Sequence, residues 1–168
     1  MPEVRAQLPR AGPDGTEPLP EALLWLLLTG EVPSAAQARQ LGAELGARAH
    51  ALGVPPHVEA VLMRGTPPTL HPMSKLSAAL LLLQERSVFA AQYRAGALRK
   101  PDMWEAVLED VCNVVALLPT VAAMIYHANF RGAQHLPTAP PVARDWAGRF
   151  AEQLGFAGSA AFCDLLRL

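Results

Sequence analysis

The most regular hydrophobic pattern in the chain begins at Asp102. Apolar side chains recur there every three or four residues, the spacing of one helix face: Trp104, Val107, Leu108, Val111, Val114, Val115 and Leu118. Asp102 and Glu105 have the spacing of a capping box at the start of a helix. Pro119 lacks an N–H donor, so the pattern predicts that this helix ends there and that a second one runs from Thr120 to about Phe130.

A second predicted helix, near residues 72–85, is apolar on nearly every side. Leucines form one stripe and small or apolar residues fill the other faces, with few polar interruptions. A helix of this kind is buried on nearly every side, so we expect it at a subunit contact or at the centre of a larger assembly. His71 precedes it and is expected to cap its first turn, although a histidine there could also line a pocket.

The remaining apolar segments are short and separated by turn-forming residues. Ser34 and Gln37 predict a capping box that opens a helix ending before Gly53. Further helices are predicted at residues 20–29, 55–63, 87–98, 145–154 and 159–168, with a weak candidate at 2–8. No stretch alternates apolar and polar residues as a strand does, so the chain is predicted to be all-α. The proline-rich residues 131–142 are expected to form an exposed excursion.

Charge and composition exclude some partners. The 168 residues include 14 basic and 15 acidic side chains, which gives a net charge of −1. Proteins that bind nucleic acids or anionic membranes usually carry a surplus of basic residues, and this chain has none. The runs 23–28 and 76–83 are shorter than the roughly 20 residues that cross a bilayer, and Pro119 interrupts 114–126. We therefore expect no nucleic-acid and no membrane partner. With 51% hydrophobic and 17% charged residues, the chain has more apolar surface than it is expected to bury alone.

Little chemistry is visible in the sequence. The five histidines are scattered, and neither a metal-ligand spacing, a glycine-rich phosphate loop nor a nucleophile elbow occurs. A dyad of Cys112 with His127 is conceivable, but Cys112 lies in a strongly helical stretch, which favours an inert core cysteine. Arg99 and Lys100 form the one adjacent basic pair. Between two predicted helices, this pair could hold an anionic ligand or simply be a solvated loop.

Three segments carry a resemblance to a known family. Residues 18–33, PLPEALLWLLLTGEVP, resemble a helix and turn of citrate synthases, and residues 70–79, LHPMSKLSAA, are similar to that family's LHPMSQLSAA helix. Residues 118–126, LPTVAAMIY, are similar to a third segment. The resemblance covers essentially the whole chain in one register and looks closest to the mitochondrial-type enzymes.

The resemblance implies a fold and an activity. The family is all-α with a large and a small domain, and this chain corresponds to the N-terminal portion of the large domain. Its members are homodimers that condense acetyl-CoA, a substrate rather than a cofactor, with oxaloacetate and water to give citrate and CoA in the tricarboxylic acid cycle. A mitochondrial matrix location is implied, although residues 1–10 show no targeting peptide.

The resemblance also implies what this sequence lacks. The family's two catalytic histidines, its catalytic aspartate and the arginines that hold oxaloacetate align with no residue here, and Leu168 stops short of the HSDHEGGN motif. No catalytic residue is therefore assigned, and the isolated chain is expected to be inactive, as a fragment or truncated product would be. Two alternatives stay open: a non-catalytic helical dimerisation module, and a relative that uses another acyl-CoA, such as a 2-methylcitrate synthase.

Two contacts are implied for this chain. The helices near 72–85 and 102–118 correspond to the antiparallel pair at the family's subunit interface. Lys100, with Arg99 as its neighbour, aligns best with a basic residue that reaches a CoA phosphate bound in the partner subunit. Pro101 differs from the family's usual residue at that place.

Overall fold

The computed structural model describes residues 6–11, 17–133, 136, 145–156 and 158–167. Within these residues the regular elements are helices, and the prediction of an all-α chain is confirmed. The α-helices are α1 (Pro20–Thr29), α2 (Ala35–Leu52), α3 (Pro56–Ala60), α4 (Pro72–Leu83), α5 (Val88–Arg94), α6 (Met103–Phe130), α7 (Trp146–Gln153) and α8 (Ala160–Leu165). A π-helical turn, Val61–Gly65, continues α3, and 3₁₀ turns at Gln84–Arg86 and Lys100–Asp102 flank α5.

These helices belong to two compact units. The first unit contains residues 1–47 and 137–168, and the second contains residues 48–136. Helix α2 begins in the first unit and ends in the second. Most of the predicted excursion at 131–142, all but residues 131–133 and 136, and most of the weak helix at 2–8 lie outside the described residues.

The second unit has the larger apolar core. Helices α4 and α6 pack against each other, α4 also packs against α3, and α6 packs against the π-helical turn that follows α3. Their inward side chains form one cluster of buried residues: Val58, Leu62, Met63, Ala79, Leu83, Leu117, Val121, Met124 and Ile125. Burying side chains of this size stabilises the unit by about 1.5–3 kcal/mol each.

Helix α6 runs unbroken through Pro119, so the predicted break at this residue is wrong. A proline inside a helix costs about 3 kcal/mol or more, because one hydrogen bond is lost and the ring crowds the preceding turn. Pro119 is itself buried, and its neighbours Leu117 and Val121 belong to the core. The apolar area buried on both sides of Pro119 offsets the cost of continuing the helix.

By length and composition alone, the helix from Lys100 to Phe130 could cross a membrane. The central helix of a folded core meets the same criterion. The second half of α6 supplies Leu117, Val121 and Met124 to the core of the second unit. This packing favours the interpretation that α6 is the central helix of that unit.

The structure confirms one predicted capping box and contradicts another. The Ser34 backbone N–H donates to Gln37 Oε1 at 2.8 Å, and the Gln37 N–H donates to Ser34 Oγ at 3.3 Å. Asp102 makes no side-chain cap to α6. The backbone is already helical at Asp102, which ends a 3₁₀ turn, whereas a capping side chain normally stands on an extended residue. Its carboxylate instead accepts from Arg99 Nε at 2.7 Å.

The first unit has a small apolar cluster: Leu8, Leu19, Ala22 and Ala38. Side chains cap the N-termini of its last two helices, α7 and α8. Asp145 Oδ1 accepts a hydrogen bond from the Gly148 N–H at 2.6 Å, and Ser159 Oγ accepts one from the Phe162 N–H at 3.2 Å. Asp145 also accepts from Arg167 Nη2 at 2.6 Å, which ties the end of α8 to the start of α7. These polar contacts add to the burial of further apolar residues of the unit, namely Leu45, Ala147, Ala151, Leu154 and Cys163.

Candidate functional site

Among the described residues, helix α4 is covered on one side only, so this part of the chain does not bury its remaining apolar sides. Lys75, Ala79 and Leu83 face the interior, with Leu83 and Ala79 in the core. Met73, Leu80 and Leu81 are exposed, and 73% of the Leu81 surface is open to solvent. Leu80 and Leu81 follow Met73 by seven and eight positions, about two helical turns, so all three lie on one side of the helix.

Helix α6 also has an exposed apolar stripe, which lies near its N-terminus. Trp104, Val107 and Val111 are spaced by three and four residues, so they share one face, and 63% of Trp104 is exposed. We call these three residues, together with Met73, Leu80 and Leu81, the uncovered apolar surface of the second unit. Large apolar side chains concentrated on two helices that pack together are typical of a contact surface for another protein.

The predicted basic pair lies in the turn before α6. Arg99 and Lys100 are exposed, and Lys100 is the first residue of the 3₁₀ turn. The Asp102 N–H donates to the Arg99 carbonyl at 3.0 Å, which closes this turn. Because the Arg99 guanidinium pairs with Asp102, Lys100 carries the more available positive charge of the two. Nothing else in the described part of the chain marks the pair as a phosphate site, and the CoA contact stays a prediction.

An acidic residue on α6 anchors the helix that precedes this turn. Asp110 accepts hydrogen bonds from the Ser87 hydroxyl at 2.6 Å and from the Val88 and Phe89 backbone N–H groups at 2.7 and 3.2 Å. Ser87 Oγ in turn accepts from the Ala90 N–H at 2.9 Å. The donors of the first turn of α5 are thus satisfied by its own cap and by α6.

The neighbouring acid, Glu109, binds a different helix. Arg48, near the end of α2, forms an ion pair with Glu109 and donates to Asn113 Oδ1 at 2.8 Å. Glu109 and Asp110 lie off the apolar stripe of this helix in the sequence, and nothing in the sequence predicts these contacts. Their partners lie 61 and about 22 positions away, and no local spacing signals such a contact.

The other singled-out residues show no catalytic arrangement. His71 Nδ1 accepts from the Met73 N–H at 3.2 Å, so the predicted cap is confirmed and the ring is exposed rather than in a pocket. Cys112 and His127 lie on the same helix, 15 residues apart, which separates them by roughly 22 Å at 1.5 Å per residue. That separation excludes the dyad. Among the described residues, no three His, Cys, Asp or Glu side chains group as metal ligands.

An open cleft of about 560 Å³ lies beside α4 and α5. It is lined by His57, Leu81, Leu82, Gln84, Glu85, Ala90 and Arg94. His57 Nε2 is 3.6 Å from Glu85 Oε2, and both side chains are about half exposed. An ion pair in this setting contributes little and is screened by solvent.

Comparison with known proteins identifies relatives along the whole chain. Residues 15–168 match the family model described as "Citrate synthase, C-terminal domain". The mitochondrial citrate synthase of Neurospora crassa is 45% identical over 168 residues, covering 100% of this chain and 34% of that protein. The mitochondrial 2-methylcitrate synthase of Yarrowia lipolytica is 41% identical, covering 100% and 35%. The probable mitochondrial citrate synthase of Leishmania braziliensis is 42% identical with the same coverage.

The chain thus spans about a third of the length of the curated relatives that it matches. The identities to citrate synthases and to a 2-methylcitrate synthase differ by only a few per cent. They do not distinguish between acyl-CoA substrates.

Proposed function

Because the chain belongs to the citrate synthase family, we propose that it supplies the subunit-contact helices and one CoA-phosphate contact of an acyl-CoA-condensing enzyme. The reaction joins acetyl-CoA, oxaloacetate and water to give citrate and CoA. The proposed site of action is the mitochondrial matrix, and the relatives whose names include "mitochondrial" support a mitochondrial location. The observation that carries the proposal is the uncovered apolar surface on α4 and α6.

A second copy of the chain is the proposed occupant of that surface. Exposed Trp104 is of the residue type that most often anchors the centre of protein interfaces, and exposed Leu81 adds apolar area to the same surface. Removing them from water in a dimer would recover hydrophobic stabilisation that the isolated second unit lacks, at about 25 cal/mol per Å² of apolar area. The helices concerned, α4 and α6, are the pair that the family resemblance assigns to the subunit contact.

Sedimentation velocity of the purified chain tests this contact. We expect self-association at micromolar concentration, and we expect Leu81→Glu to shift the chain towards monomer because a carboxylate would have to be buried in the contact. Leu27→Glu is the matched control: Leu27, on α1, is 74% exposed, as open as Leu81 at 73%, but lies outside the proposed contact. A monomeric wild-type chain, or equal effects of the two variants, would contradict the proposal.

Lys100 is the proposed ligand of a CoA phosphate, with Arg99 beside it. Lys100 is exposed and precedes the rigid helix α6, which lets it reach a molecule held by a partner subunit. A lysine–phosphate contact is a hydrogen bond between charged groups and contributes roughly 1.5–3 kcal/mol when well formed. Because Lys100 is exposed, we expect about 1–2 kcal/mol.

A chimera tests the enzymatic role. The matching third of the Neurospora crassa enzyme is replaced by these 168 residues, and citrate formation is measured. We expect activity in the chimera and none in the isolated chain. Lys100→Ala should raise KM for acetyl-CoA roughly 5- to 30-fold at unchanged kcat, whereas Arg39→Ala, an exposed basic residue on α2, should leave KM unchanged. An active chimera with an unaltered KM would remove Lys100 from the site.

A non-catalytic dimerisation module is the second candidate function. It is favoured by the same uncovered apolar surface, since the surface serves either function. The chimera separates the two: a folded, dimeric chimera without citrate formation supports the module and counts against the enzymatic role.

A further inference from the structure

Glu21 is a deeply buried carboxylic acid of the first unit. It lies in the first turn of α1 and is 1% exposed. Its Oε1 accepts a hydrogen bond from the Trp146 backbone N–H, at the start of α7, at 2.6 Å. Its Oε2 is buried, and no group in the described part of the chain forms a hydrogen bond with it. A carboxylate offers several acceptor sites, so these surroundings satisfy the ionised form poorly.

The structure around Glu21 is fitted closely to the carboxyl group. A Cβ on Gly42 of α2 would lie 2.9 Å from Glu21 Oε1, so the Glu21 carboxyl group would have to shift to admit a side chain there. Arg149 of α7 donates from Nη1 to the Gly42 carbonyl at 3.0 Å rather than to Glu21. One carboxyl group thus lies at the meeting point of α1, α2 and α7.

The charged groups that face Glu21 act in opposite directions. Burial is the largest influence and raises the pKa of Glu21 above its ordinary value of 4.5, and Asp145 of α7 raises it further. The Trp146 N–H and the Arg149 guanidinium favour the ionised form and lower the pKa, by less than burial raises it. The folded first unit therefore holds this proton more tightly than the unfolded chain does.

The direction of the pH dependence follows from linkage. Where the folded state binds more protons than the unfolded state, stability decreases as pH rises. The contribution of the Glu21 proton is fully present below pH 4.5 and is lost as pH rises through the higher pKa of the folded state.

We propose that Glu21 is a proton-controlled latch between α1 and α7. In the neutral form, its buried carboxyl group lets the first turn of α7 pack against α1 and α2. When Glu21 loses its proton to solvent, a buried anion with one unpartnered oxygen remains, and the contact with α7 loosens. The latch is independent of the proposed subunit contact, since all of its residues lie in the first unit.

Nuclear magnetic resonance of the complete chain provides the test. The ¹³C signal of the Glu21 carboxyl group and the ¹H signal of the Trp146 amide are followed between pH 4 and 8. We expect both to titrate together with a midpoint above 4.5, and the Trp146 amide to exchange faster above that midpoint after correction for base catalysis. A Glu21 midpoint at or below 4.5, or a Trp146 amide that does not follow it, would overturn the latch without any variant being needed.

A variant series extends the test. Glu21→Gln keeps the shape and an acceptor oxygen but cannot ionise, so its melting temperature should match the wild type at low pH and exceed it increasingly as pH rises. Glu31→Gln is the matched control, since Glu31 is an exposed acid of the same unit. A difference between Glu21→Gln and the wild type that stays constant with pH would contradict the proposal.

Discussion

The Asp110 carboxylate is expected to hold α5 in place. Its three hydrogen bonds, to the Ser87 hydroxyl and to the Val88 and Phe89 N–H groups, span 2.6 to 3.2 Å. Asp110→Ala removes all three and leaves two backbone donors of α5 without this acceptor. A helix of seven residues is too short to be stable in water without such tertiary contacts.

The size of the effect follows from the number and exposure of these bonds. A hydrogen bond to a charged acceptor contributes about 1.5–3 kcal/mol. Asp110 is only partly buried, so water replaces part of what is lost, and the three bonds share one carboxylate and are not additive. We therefore expect Asp110→Ala to destabilise the docked α5 by about 2–4 kcal/mol.

Amide hydrogen exchange measured residue by residue is the appropriate assay. For a loss of 2 kcal/mol, the amides of α5 should exchange roughly 30-fold faster, since 1.4 kcal/mol is a factor of ten. Glu105→Ala is the matched control, because Glu105 is an exposed acid on the same helix. Asp110→Asn should restore part of the protection through its remaining carbonyl acceptor. If α5 exchanges equally in Asp110→Ala and Glu105→Ala, the anchoring role of Asp110 is refuted.

Three further substitutions test other contacts. Gly42→Ala should destabilise the first unit by about 1–3 kcal/mol, because its Cβ would press on Glu21 Oε1; Gly158→Ala, with open space around it, should change the melting temperature little. Lys75→Met should raise the melting temperature, because Lys75 is 2% exposed and methionine fills similar volume without a charge to desolvate; a lower melting temperature would show that the ammonium is well satisfied. His71→Ala should cost about 1 kcal/mol in urea unfolding, since the Met73 N–H loses its cap; an unchanged midpoint would contradict this.

Local signals predicted most of the helices. The Ser34–Gln37 box, the proline at the start of α1 and Gly30 after it, with φ of 77°, all act within one helical turn. Such signals depend on residues three or four positions apart, so they can be found without the tertiary structure. The family resemblance is also a property of sequence alone, and the family match and the relatives confirm it.

The errors arose where packing outweighs a local rule. Pro119 breaks a helix by its own chemistry, but its flanking residues in α6 are buried in the core and the helix continues. Asp102 has capping-box spacing, but a preceding 3₁₀ turn had already set its backbone as helical. The apolar pattern of helix α4 was not an error, but it leaves open which residues this chain covers, and only the packing of the second unit decides that Leu81 stays exposed while Ala79 is buried.

The sequence by itself determined the helical class, most helix starts and ends, the surplus of apolar surface and the family. Only the tertiary structure decided which apolar side chains remain uncovered and which acids join helices together. Glu21 and its hydrogen-bond donor Trp146 are 125 positions apart in the sequence. Asp110 binds the start of helix α5, which precedes it by about 22 residues. Helical periodicity extends over a few residues, whereas a buried carboxyl group is satisfied by whichever donor the fold brings within about 3 Å. That choice depends on the packing of whole helices.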